Sequence, residues 1–344
     1  MDGSRRASGD DSTPAWLGLA DLASARVGGR ALASSDEFFA SKSNLVKPAP
    51  PVFIPGKYTA RGKWMDGWES RRRRTPGHDW CIVGLGMRGR LRGVDVDTSF
   101  FTGNFPTHCS IDALDTTRPL RPGIFGAEGG PWTPVLPKSA LGGDRHNYLV
   151  VEDERPWTHL RLNIYPDGGV ARLRAYGDVV VDWERLRRTG RAVDLAFIRN
   201  GGLVLDASDV HYGAKDNMLM PGRARNMGDG WETRRRRGPG HDWAIVRLGA
   251  PGRLTKIEID TNHFKGNYPE SASVDGCYAP GAALDGSAAA AWTGILPRTT
   301  LRAHHRHLFA AELRPGSLVS HVRLNIYPDG GVSRFRVHGV VDQA

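Results

Sequence analysis

Apolar and polar positions alternate with a period of two in short runs along this chain. Residues 80–85, 91–97, 159–165 and 170–176 read as strands buried on one face. In the third run Leu160, Leu162 and Ile164 point one way, and Arg161, Asn163 and Tyr165 point the other. Glycine and proline, 43 and 22 of 344 residues, break the runs into strand-length pieces. The pattern predicts an all-β protein made of β-sandwiches of the jelly-roll kind.

The same pattern occurs twice. DGWESRRRRTPGHDW at 66–80 recurs as DGWETRRRRGPGHDW at 229–243, and RLNIYPDGGV at 161–170 recurs unchanged at 323–332. Two long units predict tandem domains rather than a solenoid. We expect a disordered tail at 1–20, a first jelly roll at 21–177, a linker with a short helix at 178–193, and a second jelly roll at 194–340. Gly190 should stop that helix. Repeat 1 carries a longer segment between Asn44 and Asp66. The Pro-Asp-Gly-Gly tract at 166–169 is expected to be a hairpin turn. Residues 69–74 are expected to be extended, with Glu69, Arg71 and Arg73 on one face and Arg72 and Arg74 on the other. If successive strands run antiparallel, the loops at 76–79 and 98–106 lie at one end. His78, Asp79, Asp97, Thr98 and Asn104 would then line one cavity mouth, where rigid β scaffolds usually carry function.

Charge changes the picture little. The net charge of +10 is mostly arginine, spread over both halves and interleaved with acids. That pattern argues against a nucleic-acid partner, which needs its cations gathered on one surface. No apolar run is long enough to span a bilayer, so no membrane partner is expected. The residues before 14 are polar and lack an apolar signal region. Cys81, Cys109 and Cys277 are odd in number and unmatched between the copies. Free thiols and a cytoplasmic location are expected.

Several tracts together carry a family resemblance. They are SSDEFFA at 34–40, KWMDGWESRR at 63–72, GHDW at 77–80, VDVDTSFFTGN at 94–104 and NIYPDGG at 163–169, with second-copy forms at 227–233 and 260–267. In these the chain resembles the allantoicase (allantoate amidinohydrolase) family over about residues 21–340. The resemblance implies galactose-binding-like jelly rolls and assembly into homo-oligomers. It also implies hydrolysis of allantoate to ureidoglycolate and urea, in purine breakdown through allantoin. The alternative from another class is a non-enzymatic galactose-binding-like module that only holds a ligand.

Allantoate is a carbon bearing one carboxylate and two ureido groups. Its hydrolysis needs a cation for the carboxylate, amide-type partners for the ureido groups, and an acid and base, because urea departs poorly unless protonated. Residues kept in both copies supply each type. Candidate catalytic groups are His78, Asp79, Asp97 and Glu69, with His241, Asp242, Asp260 and Glu232 in the second copy. Candidate substrate-binding groups are Arg71, Arg73, Thr98, Asn104, Arg161 and Asn163, with Arg234, Arg236, Thr261, Asn267, Arg323 and Asn325. Arg161 and Arg323 are the preferred carboxylate anchors; the rival role for each is a stitch to an acid across the sheet. No cofactor is required by these residues, although His78, Asp79 and Asp97 are of a type that could hold a divalent metal. The histidines at 304, 305 and 307 are expected on the surface, and no nucleophile motif is present.

Overall fold

The computed structural model describes residues 13–120, 130–287, 290–316 and 318–342. Repeat 1 contains β1 (Arg30–Ser34), β2 (Asp79–Asp97), β3 (His108–Leu114), β4 (Thr133–Ala140), β5 (Pro156–Tyr165) and β6 (Arg172–Val179). Strand β2 is 19 residues long and belongs to both layers of the sandwich. Its first part pairs with β1 and β5, and its second part pairs with β6 and with Tyr148–Val150. Beyond β5 come β3 and then β4, and Ala20–Asp21 lies outside β6; all these pairings are antiparallel. Between its two parts β2 bends across a corner rich in glycine. A Cβ on Gly86 would lie 2.4 Å from the Val27 carbonyl oxygen, so a side chain there would block the backbone crossing the corner.

A short helix, α1 (Trp183–Thr189), separates the repeats. Asp182 caps it by accepting from the Arg185 N–H at 2.9 Å, and Gly190 ends it in the left-handed region at φ 62°. Repeat 2 then reproduces the sandwich with β7 (Leu203–Ala207), β8 (Asp242–Asp260), β9 (Ser271–Cys277), β10 (Thr293–Thr300), β11 (Val319–Tyr327) and β12 (Arg334–Val341). The fold is two tandem jelly-roll sandwiches produced by duplication, built as the period-two pattern required. Leu160, Leu162 and Ile164 are fully buried against Cys81, Cys109 and Ile111, and Leu324 and Ile326 occupy the same places in repeat 2.

Three expectations are corrected. Residues 1–12 lie outside the described residues, but 13–20 are not a disordered tail. Ala15–Gly18 form a 3-10 turn and Ala20–Asp21 a strand, because Trp16 packs on Tyr176 at 5.6 Å and Tyr148 at 6.0 Å between ring centroids. The tract at 166–169 is not a hairpin turn. Strands β5 and β6 both pair with β2 and not with each other, so this tract carries the chain from one layer to the other. The arginine tract is not a full strand. Only Trp68–Glu69 is paired, to Gly169–Val170, and the four arginines continue as irregular chain.

That crossover gathers the end of the sandwich. The Asp79 N–H donates to the Pro166 carbonyl at 3.1 Å, the Gly169 N–H to Asn104 at 2.7 Å, and the Ala171 N–H to Asp97 at 2.7 Å. Both ends of β2 and the loop after it therefore meet at one end, where parity had placed them.

Candidate active site

The loops converge, but their side chains enter separate networks. Asp79 is buried and accepts from Ser35 and from Arg73, both at 2.9 Å. The Arg73 N–H donates to Asp167 at 2.8 Å, which ties the arginine tract to the crossover. Repeat 2 repeats this with Ser208, Arg236, Asp242 and Asp329. Asp97 and Thr98 hold loops: Asp97 accepts from the Ser99 N–H, and Thr98 donates to the Gly142 carbonyl. Asp260 and Thr261 do the same with Asn262 and Arg302. All four are buried and none is bonded to His78, which stacks on Tyr165; Asp260 alone of them lines an open cavity, and His241 is not part of that lining.

A second network lies on the polar face of β5. Arg161 donates from Nε and an Nη to Asp112 at 3.0 and 2.8 Å, and its guanidinium stacks 5.2 Å from the Trp132 ring. Asn163 donates to the same carboxylate at 2.8 Å, Ser110 hydrogen-bonds the Tyr165 hydroxyl at 2.9 Å, and His78 stacks on Tyr165 at 4.7 Å. In repeat 2, Arg323 and Asn325 meet Asp275 at 3.0 and 2.9 Å, with Trp292 over Arg323 and His241 on Tyr327. One difference stands out. His241 Nε2 lies 3.2 Å from Asn325 Oδ1, whereas Asn163 Oδ1 is buried without a partner. Sequence reasoning missed Asp112 and Asp275. The signal is strand register, since Arg161 sits directly opposite Asp112 and Arg323 directly opposite Asp275. A substrate carboxylate at Arg161 would have to displace Asp112.

The third arrangement is open. Glu69, Asn104, Lys63, Phe39, Met65 and Phe100 line a cavity of about 140 Å³. Asn104 Nδ2 donates to Glu69 Oε1 at 2.7 Å. Burial pushes the Glu69 carboxyl above the usual glutamate range, and the Asn104 bond opposes this only in part. The extra segment of repeat 1 builds the wall. Its Phe53 stacks on Phe100 at 5.7 Å, and Lys63 Nζ lies 4.6 Å from the Phe53 ring. Around it Arg71, on Asp36 at 2.6 Å, and Arg72 and Arg74 are exposed. Asn267 likewise donates to Glu232 in repeat 2, and Arg234 pairs with Asp209. There Tyr212 and His263 stand where Phe39 and Phe100 do, and the extra segment is missing.

The family model described as "Allantoicase repeat" matches residues 20–180 and 193–342, both sandwiches in full. The chain belongs to the allantoicase family. It is 52% identical to a "Probable allantoicase" of Pseudomonas paraeruginosa over 93% of this chain and 95% of that protein. It is 50% identical to "Probable allantoicase 1" of Burkholderia mallei over 94% and 95%. The crystal structure of allantoicase from Saccharomyces cerevisiae superposes with a TM-score of 0.79, at 35% identity over 93% of each chain.

For a member of the allantoicase family the donor set matters. Among the described residues no three His, Cys, Asp or Glu side chains are grouped to hold a metal ion. His78 faces Tyr165, Asp79 faces Arg73, and Asp97 faces a turn, so the divalent-metal role open to them from sequence has no shared centre. The histidine cluster is not wholly on the surface either. His307 is buried, with Nδ1 at 3.0 Å from the Ile259 carbonyl and Nε2 accepting from the Arg302 N–H at 2.8 Å. Asn147 bridges the matching Val96 and Gly142 in repeat 1, so His307 is a loop pin. Cys81, Cys109 and Cys277 are free and buried, and burial pushes the Cys109 thiol up to about 12. None is a ready nucleophile.

Proposed function

We propose that this protein hydrolyses allantoate to ureidoglycolate and urea, with Glu69 as its proton donor and acceptor. The observation that carries the reaction is the family match over both repeats and nearly the whole length of the relatives. Glu69 is chosen because it is a half-buried carboxyl whose proton is held more tightly than usual, set in an open cavity that Lys63 also lines. Lys63 supplies charge for the substrate carboxylate. Asn104 occupies Glu69 Oε1 and so directs the proton to Oε2. As the C–N bond breaks, Glu69 protonates the departing ureido nitrogen, and the retained ureido nitrogen donates its lone pair to form a C=N bond. Water then adds to that carbon and returns a proton to Glu69. Apolar walls from Phe39, Met65 and Phe100 limit solvent at the carboxyl. In this reading Asp79, Asp97, Arg73 and Arg161 with their second-copy counterparts position loops and strands.

We further propose a cytoplasmic homo-oligomer. Three free buried thiols favour a reducing compartment, and among the described residues no helix is long and apolar enough to cross a membrane. Nucleic acid is not a proposed partner, because many arginines are already paired with acids. Incubation with allantoate should release urea and ureidoglycolate in equal amounts. No release at neutral to mildly alkaline pH, with and without Mn²⁺, overturns the reaction. Full activity in Glu69→Gln overturns the residue and leaves the reaction standing.

A further inference from the structure

A cavity of about 340 Å³ opens in repeat 2 between β12 and β8, and neither Glu232 nor Asn267 lines it. Its lining is charged: Arg223, Arg306, Arg334 and Arg336 face Asp194, Glu258 and Asp260, with His338 beside them. Two of the arginines are fully committed. Arg334 donates to Gly222, Asn217 and Asp229, and Arg336 to the carbonyls of Leu219 and Met220. The other two are not. Arg306 spends one Nη on Glu258 at 2.6 Å and is 54% exposed. Arg223 is 62% exposed and approaches Asp260 only to 3.6 Å, beyond a hydrogen bond.

Repeat 1 shows what the same place looks like when filled. Gly93, Tyr148 and Tyr176 stand where repeat 2 has Lys256, Leu308 and His338. Trp16 lies on the two tyrosines, and a Cβ on Gly93 would fall 2.3 Å from its ring. His146 replaces Arg306 against Asp95. The Ala49 carbonyl accepts from Arg172 Nε as the Gly222 carbonyl accepts from Arg334 Nε, so Pro50 stands in place of Arg223. Repeat 2 has therefore lost the plug and gained two cations at one spot. Pairing with Glu258 accounts for Arg306, but Arg223 makes no hydrogen bond to Asp260, so one of the two cations is left open to a ligand.

We propose that this cavity binds a small carboxylate bearing amide N–H groups, a ureido acid, with Arg223 and Arg306 forking its carboxylate and Asp260 and Glu258 accepting from its N–H groups. Arginine forks match carboxylates, and the neighbouring carboxylates match ureido donors that a simple anion lacks. Burial holds the His338 ring below the usual imidazole range, so it offers a neutral nitrogen to the same ligand. The choice of a ureido acid among small carboxylates rests on the proposed reaction, but binding can be read without turnover.

The test is calorimetric titration of the full chain with hydantoate, a carboxylate with a single ureido arm and so no second ureido nitrogen to drive that arm out as urea. A binding component in the wild type should weaken at least 10-fold in Arg223→Ala and in His338→Trp, which restores an aromatic plug. The same component should survive in Glu69→Gln. Wild-type binding in both cavity variants overturns the proposal. So does the absence of any binding at millimolar hydantoate by folded protein. Because hydantoate is not a substrate, failure of allantoate hydrolysis is scored separately.

Discussion

Repeat 1 and repeat 2 share the bonds that hold loops and part company where a ligand could sit. Arg73–Asp79 and Arg161–Asp112 in the first are matched by Arg236–Asp242 and Arg323–Asp275 in the second. By contrast, the Glu69 cavity is walled by a segment that repeat 2 lacks, and the cavity beside His338 is open where Trp16 closes its counterpart. Identity between copies of a duplication thus marks the scaffold as readily as the chemistry. The differences between copies that share one frame are better pointers to function.

The largest expected effect tests whether the copies are catalytically equal. Glu69→Gln should lower kcat by roughly 10²–10⁴, the range of a lost general acid. Glu232→Gln should cost less than about 10-fold, because its pair lacks the lysine-bearing wall. Steady-state urea release measures both. Equal losses would give each repeat a site and break the comparison.

The next effect concerns how the copies are joined. Buried Arg172 and half-exposed Lys47 both bind Asp66, at 2.6 and 2.8 Å. The counterpart of Asp66 is Asp229, which is bound by Arg334 and by Arg26, an arginine from repeat 1. Arg26 also donates to Asn217 at 2.5 Å, and burial lowers its pKa to about 10. Arg26→Ala should cost roughly 2–3 kcal/mol, somewhat under the loss for breaking a fully buried pair. Lys47→Ala should cost about 1 kcal/mol or less. Chemical denaturation reads both, and separate unfolding steps for the two repeats in Arg26→Ala would sharpen the claim. Equal costs would mean that Arg26 is not a tie between domains.

These particulars show what the sequence could say. The strands, the duplication and the meeting of the 76–79 and 98–106 loops follow from period and parity, which are local. Glu69 and Asn104 were legible as residue types kept twice. Their bond was not, because it joins positions 35 residues apart across the end of the sandwich. The Pro-Asp-Gly-Gly tract has turn composition, but its neighbours on both sides pair with a third strand, and composition carries no partner information. Trp16 was unreadable as a plug because its slot is made by Gly93, Tyr148 and Tyr176, far away in sequence. Arg223 and Arg306 carry no repeat signal, because Pro50 and His146 stand at the matching positions of the first copy.

Removing the plug should have a moderate effect. Trp16 is half-buried, so Trp16→Ala should cost roughly 1–3 kcal/mol, below the loss for a fully buried tryptophan. In repeat 2 the change Leu308→Ala, at the exposed leucine that stands where Tyr148 meets Trp16, should move the melting temperature by about 1 °C or less. If the two changes cost the same, Trp16 is not filling a slot, and the asymmetry invoked for repeat 2 weakens.

The smallest effect is a pH dependence confined to one copy. His146 Nδ1 lies 2.7 Å from Asp95 Oδ2, and Arg306 with Glu258 takes that place in repeat 2. Burial raises the Asp95 pKa from 3.8 to about 6, with His146 opposing it. For His146 burial alone would lower the value, but the hydrogen bond and charge of Asp95 outweigh it and raise it above 6.5. A group whose pKa is raised by folding lends stability below its unfolded value and loses it as pH climbs through the folded one. The Asp95 contribution therefore fades between 3.8 and about 6, and that of His146 fades above 6.5. His146→Arg puts a permanent cation in place, with a second N–H for Asp95 Oδ1, which is buried and without a partner. His146 is half-exposed, so screening keeps the gain small. The variant should melt with the wild type at about pH 5.5 and about 1–2 °C above it at about pH 8. A difference of the same size at both pH values would mean that the pair does not titrate, and that the two copies do not differ here in their response to pH.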